Sequence, residues 1–408
     1  MKTTTARGVL VTLLAAVLVS PVLAVAAPAA AAGQATAPSQ GPLLAWGWNA
    51  IGQLGTGDKA TYDGPVLVNA PYGLRATSVR TGNFSVAVNA SGQVYAWGAG
   101  QLGELGNGAI DNHLRPVKTR LPKGVRVRAA REGMEFVVAL TTAGKVLAWG
   151  LGTSGQLGNG HRADHDAPVY ARLPRGVRIT AVSACGGCAL GLTSDGRVLA
   201  WGYNFAGQLG NGRKTGSTVP VWVKLPRHTK VTSIAAGENQ LFAVTSTGGL
   251  LAWGRNDHGQ LGTGHTGGLS RVPVRVHLPR GVRVAAVSSG LFHTVALTTT
   301  GKVLAWGDNS RGQLGIGNLH ASSVPVFVHL PRIAHITSVA AGSLHCLALT
   351  RGGTVLGWGD DTYGQLGDGG PGTKVSPVTI AVPARRVLAI GAGPEALDSM
   401  VVVDQVIV

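Results

Sequence analysis

Seven tryptophans recur at a nearly fixed interval and constrain the fold more than any other feature of the sequence. Each follows a short apolar run and precedes a glycine-rich turn, as in LAWGDNSRGQLGIGN at residues 304–318. The successive spacings are 51, 52, 52, 52, 53 and 52 residues. A fixed period of this length is typical of repeat architectures, in which each unit buries its apolar face against its neighbours. The seven are Trp46, Trp97, Trp149, Trp201, Trp253, Trp306 and Trp358.

One unit, residues 179–226, divides into four candidate strands: ITAVSA, CALGLT, RVLAWG and PVWVKL. Turn signals separate them, namely Gly186-Gly187, Asp195-Gly196 and the longer segment GQLGNGRKTGST. Runs such as VLAW are apolar at consecutive positions, which is typical of a strand buried on both faces. Radially packed blades bury their strands in this way. The sequence therefore predicts an all-β, seven-bladed β-propeller of four-stranded blades.

The two ends of the repeat array are incomplete in complementary ways. The first unit begins at Leu43 with the LLAWG strand, without the strands that precede it elsewhere. The last segment, VLAIGAGPEALDSMVVV, matches that missing half, as in SVAAGSLHCLALT. We predict that the N- and C-terminal strands form one composite blade, which closes the ring and removes exposed sheet edges. The propeller would then span residues 43–408.

The N-terminal segment differs in kind from the repeats. Lys2 and Arg7 precede an uncharged stretch, Gly8 to Ser20, and then alanine-rich sequence. A basic start, an apolar run of this length and small residues are typical of a secretory signal peptide. We predict a signal peptide at residues 1–32, a linker at 33–42 and a secreted, extracellular protein. An uncleaved membrane anchor is the alternative, although Pro21 and Pro28 interrupt the run.

The remaining composition argues against an enzyme. Twelve histidines and 18 acidic residues are scattered, and no triad, metal cluster or phosphate loop stands out against the repeat. The densest group, HRADHDA at His161–Ala167, occupies the loop in which the units differ most, so we interpret it as a solvated loop. We therefore predict no catalytic residue, no metal and no cofactor.

The cysteines also fit a structural role. Three cysteines are too few to cross-link seven units by disulfides, so the stability of the fold has to come from packing. Cys185 and Cys188 form a CGGC without the helix start of a redox motif or the second ligand pair of a zinc site. They are either small core residues or a local disulfide, and Cys346 is predicted to be a buried thiol.

The tryptophans are interpreted as structural residues. Blades diverge from the axis, so the outer gap between them needs a large apolar side chain, worth about 1.5–3 kcal/mol or more when buried. Glycines such as Gly307 would let the backbone bulge or another backbone approach closely.

The unit G-x-x-H-x-x-A-L followed by G-x-V-x-x-W-G-x-N-x-x-G-Q-L-G is clearest at residues 290–315 and 342–367. It resembles the regulator of chromosome condensation repeat, and the resemblance covers all seven units. The family histidine stands at His293 and His345. Because the aligned positions vary, this column is interpreted as structural; they carry Ser85, Phe136, Cys188 and Gln240.

The resemblance implies two kinds of function. The eukaryotic prototype is a guanine-nucleotide exchange factor that also binds chromatin, and a secreted bacterial relative inhibits β-lactamases. A signal peptide would separate this chain from any GTPase, and the even spacing leaves no room for the prototype's wedge. The bacterial relative has shorter units without the long GQLGNG-to-PV arm. Our hypothesis is an exported, monomeric, non-catalytic binding module for a protein or an anionic ligand. An exchange factor or chromatin-type regulator, and an inhibitor of an extracellular enzyme such as a β-lactamase, are the alternatives.

Basic residues concentrate between the fourth strand of one unit and the first strand of the next, in loops such as LPKGVRVR and LPRGVRIT. Beyond Ala32 the chain has 33 basic residues against 18 acidic ones. A rim of positive charge attracts anions, such as wall polymers, lipid or an acidic protein. The alternative is that these charges only keep the protein soluble. Aromatic side chains for base stacking are missing from these loops, so nucleic acid is not favoured. The predicted basic rim comprises Lys123, Arg126, Arg175, Arg178, Arg227, Lys230, Arg280, Arg283, Arg332, Arg385 and Arg386.

Overall fold

The computed structural model describes residues 40–71, 74–332 and 334–407, and within them the chain forms seven four-stranded antiparallel sheets. The sheets are the blades of an all-β, seven-bladed propeller, as the repeat predicts. The signal peptide predicted at residues 1–32 and linker residues 33–39 lie outside the described residues. Across the described ranges, no helix is long and apolar enough to cross a membrane.

Each blade has four strands, which we call A to D from the axis outward. The A strands contact one another around the axis; they are β27 (Val387–Gly391), β3 (Ala76–Arg80), β7 (Val127–Glu132), β11 (Ile179–Ala184), β15 (Val231–Ala236), β19 (Val284–Ser289) and β23 (Ile336–Ala341). The B strands are β28 (Asp398–Val403), β4 (Phe84–Asn89), β8 (Phe136–Thr141), β12 (Cys188–Thr193), β16 (Gln240–Thr245), β20 (His293–Thr298) and β24 (His345–Thr350).

The C strands carry the repeated tryptophans; they are β1 (Leu43–Gly47), β5 (Val94–Gly98), β9 (Val146–Gly150), β13 (Val198–Gly202), β17 (Leu250–Arg255), β21 (Val303–Gly307) and β25 (Val355–Gly359). The outermost, D strands are β2 (Tyr62–Leu67), β6 (His113–Lys118), β10 (His165–Tyr170), β14 (Ser217–Trp222), β18 (Leu269–Arg275), β22 (Ser322–Phe327) and β26 (Lys374–Ile380). In each of these four sets the first strand belongs to the composite blade, and the others belong to blades 1 to 6 in chain order.

The composite blade closes the ring as predicted. Strand β28 pairs with β1 in continuous antiparallel register from Leu43 opposite Val402 to Gly47 opposite Asp398. The Val403 amide then donates to the carbonyl of Pro42 at 3.1 Å. The edge that an open array would expose is therefore paired within the molecule.

The D strand lies earlier in the chain than predicted. In blade 3 it spans Ser217–Trp222, whereas the sequence suggested PVWVKL at residues 220–225. Its pairing with β13 is bulged, which draws the preceding residues into the sheet. Beyond it, the Leu225 amide bonds to the Val223 carbonyl at 3.0 Å, so the backbone folds on itself before Pro226.

All seven repeat tryptophans are fully buried between adjacent blades. Each indole nitrogen donates a hydrogen bond of 2.8–3.0 Å to the backbone carbonyl of the Gln, or of Glu104, in the GQLG-type turn of the preceding blade. The turn glycine lies against the same ring. At Gly262, where φ is +70°, a Cβ would stand 2.8 Å from the Trp306 nitrogen. The glycine-rich turn is thus part of the interface between blades.

The first residue of each B strand contacts the next blade, and this column corrects one sequence alignment. The position paired with the glycine after the tryptophan is Phe84 in blade 1, so Ser85, which we had aligned with the family histidine, lies one residue further along. The composite blade has Asp398 there, which hydrogen-bonds to Thr81. In blade 6, His345 Nε2 lies 2.9 Å from Ser399 Oγ.

The cysteines are structural elements of the same region. Cys185 and Cys188 form a disulfide, which decides between the two alternatives that the sequence left open. Cys346 is a buried free cysteine with its sulfur 3.1 Å from His293 Nε2. Burial raises the pKa of the Cys346 thiol well above its ordinary value.

Candidate functional site

The predicted basic rim lies on one end of the propeller. In an antiparallel blade the B–C turn and the loop from strand D to the next strand A emerge at the same end, so these DA and BC loops share one face. All the predicted rim residues are exposed there. We call the DA and BC loops together the basic face.

Each DA loop rests on the B–C turn of the preceding blade, which fixes the spacing of the charges. A Cβ added at Gly144, a turn glycine of blade 2, would meet Arg178 Cγ at 2.5 Å. The same contact joins Gly196 to Lys230 and Gly353 to Arg386. The Cγ atoms of these side chains therefore lie against the turn, and this contact sets the spacing of the cations from blade to blade.

The structure adds basic residues that the sequence analysis missed. The B–C turns contribute four exposed cations to the basic face, and acidic counterparts are few. Of the 18 acidic residues, all of which are described, only Asp195 and Asp404 lie at this end. Asp195 pairs with Arg197 at 2.7 Å. The added cations are Lys145, Arg197, Lys302 and Arg351.

A surface pocket of about 420 Å³ opens on the basic face at blade 4. His228 lines it in the left-handed backbone conformation, with φ of +59°. Glycine takes this position in three equivalent loops, at Gly124, Gly176 and Gly281, with φ of +77° to +78°. A non-glycine residue held at positive φ stores strain, and such strain is concentrated at functional sites. The polar side chains around the pocket are Arg227, His228, Thr229, Lys230, Thr245, Ser246, Thr247 and Arg275.

The His161–Ala167 loop uses its polar side chains locally. Asp164 accepts a hydrogen bond from the Gly152 amide at 2.8 Å, and His165 Nε2 lies 3.1 Å from Asn159 Nδ2. The described residues contain no group of three or more His, Cys, Asp or Glu side chains arranged to hold a metal ion. These contacts position the loop against its own blade.

The repeat pattern and the fold agree with a known family model. The RCC1-like domain matches residues 160–402, and the regulator of chromosome condensation (RCC1) repeat matches residues 40–88 and 91–140. The chain belongs to the RCC1 repeat family. The exposed cations and the His228 pocket are therefore features of an RCC1-type propeller.

Relatives of this RCC1-type propeller have different functions. The ultraviolet-B receptor UVR8 of Arabidopsis thaliana is 34% identical over 80% of this chain and 74% of its own length. The secretion-regulating guanine nucleotide exchange factor of Mus musculus is 30% identical over 86% of this chain and 82% of its own length. Yeast RCC1 (Prp20), solved bound to Kap60, superposes with a TM-score of 0.79 at 25% identity, covering 89% of this chain and 88% of that one.

Proposed function

We propose that the protein is an exported, non-catalytic binding module that holds an anionic partner on its basic face. The observation that carries this proposal is the single-sign charge of that face. Its cations are exposed, regularly spaced and opposed by only two acidic side chains among the described residues. Such a surface concentrates anions and speeds their capture.

The His228 pocket gives the basic face a defined anchoring point. Arg227, Lys230 and Arg275 surround it. The hydroxyls of Thr245 and Thr247, which hydrogen-bond to each other at 2.9 Å, add polar groups to its lining. Cations and hydroxyls together suit a carboxylate, sulfate or phosphate group of a larger anion. The pocket would hold one such group while the surrounding rim attracts the rest of the chain.

Binding to a polyanion across a salt series tests this function. We expect the affinity for polyglutamate to fall steeply between about 50 mM and 500 mM salt, because bound counterions are released on binding. Changing Arg175, Arg178, Arg280 and Arg283 together to glutamate should abolish binding. The matched control changes four exposed arginines of the C–D loops and D strands by the same charge; they are Arg162, Arg213, Arg271 and Arg311. Equal loss in both variants, or affinity that ignores salt, would reduce the rim to a solubility feature.

The pocket and the export step have separate tests. Arg227→Gln with Lys230→Gln should weaken polyglutamate binding more than the same pair of changes at Lys123 and Arg126, which lie outside the pocket.

For export, the chain expressed with its N-terminus intact should accumulate outside the cytoplasm and lack residues near 1–32. Full-length chain retained in the cytosol would contradict secretion.

Nucleotide exchange is the second candidate, because a relative of similar length bears that activity in its name. Release of labelled GDP from a panel of small GTPases tests it. Release accelerated by the protein, and unaffected by the arginine reversal, would replace the proposed function.

A further inference from the structure

At the opposite end of the propeller, the loops that join strands A and B form a hydrogen-bonded collar that runs from blade 2 to the composite blade. Backbone amides donate to carbonyls of the next loop, from Met134 to Gly186 at 3.2 Å and from Gly186 to Glu238 at 2.9 Å. The series continues through blades 4, 5 and 6, where the Ser343 amide donates to the Ala396 carbonyl of the composite blade at 2.9 Å. The side chains on these loops are therefore held at fixed positions about the axis.

Two carboxylates cross the axis inside this collar. Glu395 belongs to the composite blade, yet its Oε1 would lie 3.7 Å from a Cβ placed at Gly186 in blade 3, three positions away in the ring of seven. Glu132 of blade 2 reaches past blade 1, and its Oε1 would lie 2.5 Å from a Cβ at Gly393 of the composite blade. We call the region bounded by Glu132, Glu135, Glu238 and Glu395 the axial mouth.

The carboxylates of the axial mouth are not fully paired. Glu132 is 6% exposed, and its Oε2 has no hydrogen-bond partner among the described residues. Glu395 Oε1 is likewise buried without a partner in that part of the chain. Burial, together with the negative charges of Glu238 and Glu135, raises the pKa of Glu395 to about 7. Burial raises the pKa of Glu132 to about 7, although the positive charges of Arg80 and Arg131 oppose that increase.

We propose that the axial mouth receives the lysine or arginine side chain of a protein partner. A cation on the axis would face Glu135, Glu238 and Glu395 at once and would satisfy carboxylate oxygens that the described residues leave unpaired. The described carboxylates do not form a metal-holding group. An extended ammonium or guanidinium group suits their dispersed arrangement better than a small ion, because it carries several donors.

The surroundings favour a polypeptide as the carrier of that cation. Met134 is 38% exposed on the collar, and Tyr203 and Phe205 are 41% and 67% exposed on blade 3 beside it. Gly187 of the collar lies against Tyr203, since a Cβ there would stand 3.1 Å from the tyrosine Cβ. Exposed aromatic and methionine side chains beside a charged centre are typical of protein-binding surfaces.

The test uses the full chain and a hexapeptide library in which one central position is fixed as lysine, arginine, norleucine or glutamate. We expect at least tenfold enrichment of the lysine and arginine pools over norleucine. The enrichment should disappear in the variant Glu135→Gln, Glu238→Gln, Glu395→Gln. It should persist in a control with the same charge change at exposed carboxylates outside the mouth, Asp63→Asn, Asp111→Asn, Asp166→Asn.

Three results would overturn the proposal: no preference for basic pools, a preference that survives the triple variant, or displacement of the peptides by stoichiometric Mg²⁺ or Ca²⁺. If the triple variant does not fold, Glu238→Gln alone should still reduce enrichment at least threefold.

A second readout is the pH dependence of peptide binding. Binding of a cation favours ionised Glu395, so affinity should rise as pH increases through about 7. The other charged groups facing this region are Glu132, Glu135, Glu238, Asp398, Arg80 and Arg131. Burial also raises the pKa of Glu132 to about 7, so the triple variant should keep only the weaker pH dependence that Glu132 supplies.

Discussion

The indole nitrogen of Trp46 donates a hydrogen bond to the backbone carbonyl of Gln365 at 2.9 Å, across 319 residues of sequence. The same carbonyl accepts a bond from Ser399 Oγ at 2.7 Å. At the six other interfaces the tryptophan bonds to a carbonyl only 44–46 residues earlier. The interface that closes the ring is therefore built like the rest, although its two sides come from opposite ends of the repeat array.

Deleting residues 389–408 should abolish cooperative unfolding. The deletion removes β28 and most of β27, so β1 loses its inner partner and Trp46 is exposed. We expect aggregation or a broad, early denaturant transition measured by circular dichroism. A chain ending at Asp404 retains both strands and serves as the control. A truncated protein that unfolds like the intact one would rule out closure through the composite blade.

Trp201→Ala should lower the free energy of unfolding by about 3–5 kcal/mol, because it leaves a large cavity between blades 2 and 3. It also removes the hydrogen bond to the Gln156 carbonyl. Trp222→Ala is the matched control, since Trp222 lies on the outer strand and is 37% exposed. Urea unfolding should show a much smaller loss there. Intact stability with lost partner binding in Trp201→Ala would show that the tryptophans belong to a binding site.

His345→Gln should make the protein less sensitive to acid. Burial lowers the pKa of His345 to about 3, whereas the unfolded side chain titrates near 6.5. The unfolded state thus binds more protons, so stability is fully present above pH 6.5 and is lost as pH falls toward 3, by about 3 kcal/mol at pH 4.

Glutamine occupies the same column at Gln240, where Nε2 donates to Ser289 Oγ at 2.9 Å, so this substitution suits the site. The free energy difference between His345→Gln and the parent should shift in favour of the variant from pH 7 to pH 4. A constant difference would show that His345 does not titrate on unfolding.

Glu395→Gln should stabilise the protein at alkaline pH. The pKa of Glu395 is about 7 in the folded state, above the ordinary value of 4.5. The raised pKa contributes stability below pH 4.5 that is lost as pH rises through 7. At pH 8.5 the variant should therefore exceed the parent by about 1–3 kcal/mol, and at pH 4 the two should be equal. Asp111→Asn, the same charge change at an exposed site, is the control in thermal unfolding.

The repeat period and the buried VLAW runs were sufficient to predict the blades and their closure. Position within a strand was harder to predict, because bulges displaced β14 and the alignment placed Ser85 where Phe84 stands. Both errors arose because hydrogen bonds between strands set the register, and no single residue specifies that register.

The basic loops were visible because basic residues recur at matching positions in most units. The axial mouth was not, since Glu135, Glu238 and Glu395 occur once each at positions that are otherwise uncharged. Only the closed ring brings them together, when Glu395 crosses to Gly186. The strained backbone of His228 likewise emerged only from comparison with the glycines of the other loops.

The pairing of β28 with β1 also determines how the molecule responds to being cut and rejoined. Residues 42 and 403 are hydrogen-bonded neighbours, so a circular permutant could join the two ends and open the chain in a DA loop. Every blade would then be continuous in sequence, and the ring would be held at its new seam by side-chain packing and turn contacts alone. Such a permutant should keep the native shape yet open more readily under mechanical load, because separating its seam breaks no strand from a sheet.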